Sequence, residues 1–256
     1  MFDETFKLNV RKIINSTNRK GDKMEQKSRM YSNVKTWNPF KGCYFDCTYC
    51  KPSFQSQAKR QMHNCTFCYA YLPHKHPERL NRIPSAKTVF VCGNSDICFS
   101  NTDYTRKIIK AIQEHNQRCP DKEYFFQSKR PAYFKPFLRD FPDNVILLTT
   151  LETNRDDGYR EISKAPRPSK RYQQFKKLAY PRKVVTIEPV MNFDVDVFLD
   201  WMVELDPEYV WLGYNSRPGQ AFLPEPGEKK VRKFIEGLRE NNIKIKGKWL
   251  RGLKTS

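Results

Sequence analysis

From Val34 onward the chain repeats one rhythm, a short β-branched or aromatic run followed by a longer amphipathic stretch. The runs are Val34–Trp37, Thr88–Cys92, Tyr124–Gln127, Val145–Leu151, Val184–Ile187, Tyr209–Leu212 and Ile243–Ile245, and helices are predicted between them near 104–117, 131–139, 169–179, 195–204 and 228–241. In the last helix Val231, Phe234, Ile235 and Leu238 share the spacing of one buried face, with Lys229, Lys230, Lys233 and Arg239 outside it. Runs such as VILLTTL and VVTI lack polar alternation, as strands covered on both sides do. Strict alternation of strand and helix therefore predicts an α/β chain built on a parallel sheet. About seven strands favour an incomplete barrel over a closed eightfold one. Residues 1–33 show no sustained apolar period and read as an N-terminal extension with a short helix over Phe6 to Ile14, leaving 34–256 for the barrel.

Such folds do their work where strands end. Here those ends carry Cys92-Gly93-Asn94-Ser95-Asp96, Gln127-Ser128-Lys129-Arg130, Thr149-Thr150-Leu151-Glu152-Thr153-Asn154, Thr186-Ile187-Glu188-Pro189 and Gly213-Tyr214-Asn215-Ser216-Arg217. One or two such ends are ordinary helix caps and turns. Five in succession, each with a carboxylate, amide or cation, predict a shared polar pocket on one rim.

Composition sharpens this picture in two ways. Lys and Arg number 47 against 28 Asp and Glu, a net charge of +19, so polyanions are the expected partners. The 18 Phe, 13 Tyr and 4 Trp supply the apolar bulk that a disordered chain lacks. No run approaches the roughly 18 apolar residues of a membrane span, and the N-terminus has no signal-peptide core, which predicts a cytoplasmic protein. Eight cysteines, five of them between Cys43 and Cys68, then point to metal or cluster ligation rather than disulfides.

The stretch WNPFKGCYFDCTYC places Cys43, Cys47 and Cys50 in the pattern C-x3-C-x2-C, with Tyr49 before the last. Three thiolates on a short loop can ligate three corners of an iron–sulfur cubane and leave the fourth iron open, with S-adenosylmethionine as the expected ligand. This pattern directly after a first strand, followed by repeated β/α units, resembles the radical SAM enzymes. More narrowly, Trp37-Asn38-Pro39 before Gly42-Cys43, Cys68-Tyr69-Ala70, Gly93-Asn94-Ser95-Asp96, Ser128-Lys129-Arg130-Pro131 and Ile187-Glu188-Pro189 resemble a family of phage and prokaryotic radical-SAM-like proteins. The spore photoproduct lyase branch is a more distant likeness. The resemblance covers about residues 35–250.

It implies a partial (β/α)6 TIM-like barrel with a Cys-rich segment at 43–76 and a [4Fe-4S] cluster on Cys43, Cys47 and Cys50. Tyr49 would lie near the adenine, and Gly93, Asn94, Ser95 and Asp96 would meet the methionine amino group. Thr150, Glu152, Asn154 and Glu188 would face the ribose and the methionine carboxylate. The implied activity is reductive cleavage of S-adenosylmethionine to a 5′-deoxyadenosyl radical, with a ferredoxin or flavodoxin as electron donor.

Cys65 and Cys68 leave alternatives open. They form a separate site, with zinc shared by His63, His74 or His76, or they join Cys43 as cluster ligands, since the last cluster cysteine of the phage-type family stands before Tyr-Ala as Cys68 does. In a third arrangement Cys47, Cys50, Cys65 and Cys68, spaced C-x2-C-x14-C-x2-C, hold zinc alone. The insert KPSFQSQAKRQMHN between the pairs predicts a helix from Pro52 with Phe54, Ala58 and Met62 on one packed stripe.

Between Arg160 and Lys183 lie nine Lys or Arg and one acid, interleaved with Tyr159, Tyr172, Phe175 and Tyr180. Phosphate contacts from Arg167, Lys170 and Arg171, with rings for base stacking, would suit DNA or RNA. Lys129 and Arg130 are placed to grip one anionic group inside the pocket. The rival classes are a zinc-stabilised nucleic-acid-binding protein without radical chemistry, and a radical enzyme acting on a small anionic metabolite or a peptide.

Overall fold

A computed structural model describes residues 34–248 of the protein. The expected N-terminal extension, with its helix near 6–14, and the last residues of the barrel lie outside the described residues. Nine strands are described: β1 (Val34–Trp37), β2 (Phe40–Lys41), β3 (His74–Lys75), β4 (Thr88–Val91), β5 (Glu123–Gln127), β6 (Val145–Thr150), β7 (Lys183–Ile187), β8 (Tyr209–Gly213) and β9 (Ile245–Lys248). Seven of them, β1-β4-β5-β6-β7-β8-β9, form one parallel sheet in chain order, curled into a half-barrel. This is the α/β partial TIM-like barrel that the alternating pattern predicts, with one strand more than the six of the resemblance. The short antiparallel ribbon β2–β3 stands apart from it.

Four helices cover the convex face: α1 (Thr102–Asn116), α2 (Pro168–Lys176), α3 (Val195–Leu205) and α4 (Glu228–Glu240). The helix expected at 131–139 is instead a 3-10 helix, Pro131–Phe137. Pro136 lacks the N–H that an α-turn needs and its ring crowds the preceding turn, so the segment winds more tightly. The last strand begins two residues later than expected. Ile243 follows the left-handed Asn242 and is spent on the apolar layer under α4 before the strand starts.

Strand periodicity separates two apolar layers. Val91, Phe126, Leu147, Val185 and Leu212 face the helices in the main core, while Phe90, Phe125, Ile146, Leu148, Val184, Tyr209 and Trp211 pack within the concave face. Further along the same concave rows the residues turn polar, from Phe125 to Gln127, Leu148 to Thr150 and Val184 to Thr186 and then Glu188. The apolar layer therefore plugs the middle of the half-barrel, and a polar basin opens at the strands' C-terminal ends. No helix among the described residues is long and apolar enough to cross a membrane.

The α3–α4 seam is aromatic. Phe198 is fully buried, its ring 5.2 Å from Phe193 and 5.2 Å from Phe234, stacked on the latter. Phe198→Ala removes this centre and is expected to cost about 3–5 kcal/mol. Urea unfolding measures it, and a loss under about 1 kcal/mol would mean that the seam repacks around the hole.

Candidate active site

The loop carrying the first three cysteines is held at both ends. Gly42 adopts φ +91°, and a Cβ there would fall 2.1 Å from the Leu72 carbonyl oxygen, so only glycine lets the chain pass beside residue 72. The next amide, of Cys43, donates to the Tyr71 carbonyl at 3.2 Å. Downstream, a 3-10 turn spans Thr48–Cys50, and the Cys47 Sγ lies 3.1 Å from Ser163 Oγ. The Lys164 amide donates to the Phe45 carbonyl at 2.7 Å, which ties this loop to the segment after β6.

Cys43, Cys47 and Cys50 line one cavity of about 350 Å³ over the polar basin, in the range of small-ligand pockets. Tyr49, Gly93, Ser95, Asp96, Lys129, Thr150 and Glu188 border the same space. The Cys47 thiol is lowered, first by a hydrogen bond from Cys50, against the effect of burial and with help from the Lys129 ammonium. Donation to Cys47, and then burial, push the Cys50 thiol up. Burial and the Asp96 carboxylate push the Cys43 thiol up.

Beneath the thiols lies a buried ion group. Glu152, at the end of β6, is fully buried and accepts from Lys129 Nζ at 2.7 Å and from Arg171 Nη2 at 2.6 Å. Tyr49 and Tyr159 donate their hydroxyls to the same carboxylate, and Arg171 also donates to the Thr150 carbonyl. Burial alone would raise the Glu152 carboxyl, but Arg171 and then Lys129 outweigh it and hold the group well below the usual carboxylate range. For Lys129 the balance runs the other way. Burial opposes its charge, Glu152 outweighs burial, and the ammonium is kept. Two cations meet this one carboxylate, and of the two it is the Lys129 ammonium that bears on the Cys47 and Cys50 thiols.

The remaining expected residues divide. Asp96 borders the cavity, but its carboxylate is occupied by Ser128 Oγ and the Lys129 amide, both at 2.7 Å, and by the Cys98 amide at 3.1 Å. Gly93 is where a Cβ would strike the Phe90 ring at 2.1 Å, so close packing alone requires it. Thr150 Oγ1 accepts from Gln127 at 2.6 Å and from Thr186 at 3.0 Å, and Glu188 accepts from the Trp211 indole at 2.7 Å. Asn94 is not among the cavity's lining residues, and its amide donates to Asn38 Oδ1. Asn154 borders a neighbouring cleft of about 620 Å³ and accepts from the Asp194 amide at 2.9 Å. Arg130 points outward, over the rings of Phe45 and Phe99, rather than into the pocket.

The basic segment also differs from its linear reading. Arg171 is buried in the ion group rather than offered to phosphate, while Arg167 and Lys170 are exposed with no ion-pair partner among the described residues. Tyr159, Tyr172 and Phe175 are buried, and Tyr172 stacks on Trp201 at 4.3 Å, so these rings are core and not a stacking platform. Helical spacing turns them toward the sheet and leaves the lysines outside. The insert after Cys50 forms a run of short π, α and 3-10 turns in which Ala58 is buried but Met62 is exposed, so the expected stripe is only partly packed. Tyr71, Tyr159 and Ser163, all next to the thiols or the ion group, carried no spacing signal.

Cys65 and Cys68 fall elsewhere. Their thiols and the ring nitrogens of His74 and His76 all lie within 4.8 Å of one another, a convergent group that does not include His63, Cys47 or Cys50.

Solved structures identify the class of fold. A radical SAM methyltransferase from Sphaerobacter thermophilus superposes with a TM-score of 0.55 at 14% identity, covering 84% of this chain and 65% of that one. A spore photoproduct lyase variant with dinucleoside spore photoproduct gives 0.55 at 10% identity, covering 83% and 75%. Streptococcus suis SuiB bound to precursor peptide SuiA gives 0.53 at 10%, covering 97% and 55%. The chain has the fold of the radical SAM superfamily, and it spans 60% of the first-matched spore photoproduct lyase chain. No protein-family profile and no curated protein matches it.

Glu152→Ala leaves two buried cations unpaired and is expected to cost about 3–5 kcal/mol. Because the folded carboxyl titrates well below its unfolded value near 4.3, its contribution is complete at neutral pH. That contribution declines once the unfolded chain begins to take up the proton, below about pH 5, and continues to fall toward the folded value. The stability gap between wild type and Glu152→Gln should therefore narrow on acidification from about pH 7 to about pH 3. A gap that stays flat in urea unfolding would show that the carboxylate is not the charged centre of the group.

Proposed function

We propose that the protein is a radical SAM enzyme in which Cys43, Cys47 and Cys50 hold a [4Fe-4S] cluster and the polar basin below receives S-adenosylmethionine. The observation that carries this reading is the opening of three thiols from one short loop onto the same cavity as the strand ends of a radical SAM half-barrel. The donor set fits, because three thiolates satisfy three corners of a cubane and leave one iron for a substrate ligand. When bound, such a cluster supplies the electron that cleaves S-adenosylmethionine to methionine and a 5′-deoxyadenosyl radical.

The chain's own residues prepare that site. Lys129, fixed by Glu152, sets a buried positive charge beside three anionic thiolates and offsets the repulsion among them. Tyr49 is locked to Glu152 and walls the basin as an aromatic surface for a purine. Ser95, Thr150 and Glu188 line that basin, where ribose and amino-acid groups would find partners, whereas Asn94 and Asn154 lie outside it. Its substrate is a nucleic acid, repaired or modified in the cytoplasm, with a ferredoxin or flavodoxin supplying electrons. The net charge of +19 and the exposed Arg167 and Lys170, which have no ion-pair partner among the described residues, support this, as does the likeness to a lyase solved with a dinucleoside. A peptide substrate is the second reading, favoured by the coverage of nearly the whole chain by the peptide-bound SuiB. Zinc, if bound at the second thiol group, has no part in the radical step.

Anaerobically purified protein should contain about four iron and about four labile sulfide per chain, and Cys47→Ala should lose them. Reduced with dithionite, the wild type should form 5′-deoxyadenosine from S-adenosylmethionine and Cys47→Ala should form none. Sulfide-free protein that retains zinc alone would sink the radical reading. For the substrate, Arg167→Glu with Lys170→Glu should weaken DNA or RNA binding and lower the slope of log affinity against log salt by about 2. An unchanged slope removes those two residues from the interface.

A further inference from the structure

The ribbon β2–β3 carries a group of side chains that the radical chemistry does not use. Cys65 caps the short helix Thr66–Tyr69, and Cys68 lies one turn further on. His74 and His76 are two residues apart at β3, so they project to the same side of the ribbon. Sγ of Cys65 stands 3.4 Å from Nε2 of His74, and Sγ of Cys68 stands 3.4 Å from the same nitrogen and 3.3 Å from Nε2 of His76. In a tetrahedral zinc centre, with bonds of about 2.3 Å to sulfur and about 2.0 Å to nitrogen, ligand sulfur and nitrogen lie about 3.5 Å apart. The observed spacings match that geometry.

Both imidazoles are also oriented as ligands. Nδ1 of His74 donates to the Leu72 carbonyl at 2.7 Å, and Nδ1 of His76 donates to Glu78 at 2.8 Å, which leaves each Nε2 as the lone-pair nitrogen facing the thiols. The Cys68 amide donates to Cys65 Sγ at 3.3 Å, an N–H aimed at a sulfur that would carry negative charge. Cys68 and His76 are buried, and four protein donors close the shell.

We propose that Cys65, Cys68, His74 and His76 form a structural zinc site that sets the position of Cys43. A tetrahedral shell of two thiolates and two imidazoles selects zinc, and zinc has no redox step to compete with a reducing cluster nearby. The mechanical link is short. The Leu72 carbonyl that orients His74 is the atom Gly42 packs against, and the neighbouring Tyr71 carbonyl accepts the Cys43 amide. Metal at this site thus fixes residues 71–76, and those residues fix where the Cys43 backbone enters the cavity. The site stands whatever Cys43, Cys47 and Cys50 hold.

The test is elemental analysis of the intact protein, wild type and variants, purified anaerobically without chelator. Wild type should carry one zinc per chain, and Cys65→Ser and His76→Ala should each lose it at least tenfold. The triple variant Cys43→Ala, Cys47→Ala, Cys50→Ala should keep its zinc while losing iron, so the two sites report independently. His63→Ala should keep both metals. Should the ligand variants fail to fold, His76→Cys, which preserves a four-donor shell, should retain zinc. Cobalt(II) added to zinc-stripped wild type should then give the intense ligand-field bands of a tetrahedral site with thiolate charge transfer. Iron bound through Cys65 and Cys68, or folded wild type with neither zinc nor a tetrahedral cobalt spectrum, overturns the proposal.

Discussion

Burial of the Glu152 carboxylate is the constraint on which the rest of the site depends. Removing a carboxylate from water costs several kcal/mol, and that cost is tolerable only if cations and hydroxyls saturate its lone pairs. Lys129 comes from the end of β5, Arg171 from α2, Tyr159 from the segment after β6 and Tyr49 from the cysteine loop. Each must arrive for the charge to be stable, so one desolvated group holds four separate pieces of chain in register. The same demand leaves a buried ammonium beside three thiols.

The half-barrel supplies the frame for this group. Its concave face is apolar across the middle and polar at the C-terminal strand ends, a change written along single strands by the period of two. Phe90, Phe125, Leu148 and Trp211 belong to that apolar middle, and Phe90 also borders the basin. Above it, the Cys-rich segment sorts its five thiols by backbone geometry. The tight passage at Gly42 sends Cys43 toward the cavity, and the turn into β3 brings two histidines back to Cys65 and Cys68.

Much of this was legible in the residues themselves. Alternating runs predicted the parallel α/β sheet, and the polar strand ends predicted the basin, because a strand buried on both faces has no other place for such groups. The cysteine spacing singled out the loop. Other features resisted linear reading. Arg171 looked like one more member of a basic surface stretch, yet helical phase buries it, and nothing in its neighbours distinguishes it from Lys170. The interleaved aromatics looked like a stacking platform and prove to be core for the same reason. Asn94, Asn154 and Arg130 sit at strand ends as expected but turn away from the cavity, since a loop's local hydrogen bonds decide which of its side chains face inward.

By itself the sequence determined the architecture and the chemical types available: parallel strands from continuous apolar runs, thiols in a cluster-like spacing, and a strong positive charge. These follow from local periodicity and composition, which folding does not alter. Only the tertiary structure decided which groups act together. Glu152 meets Lys129 and Arg171 across separations of 23 and 19 residues, and the thiols of Cys65 and Cys68 part from those of Cys47 and Cys50 to meet two histidines instead. Such partnerships rest on distance and desolvation in three dimensions, and neither has a signature along the chain.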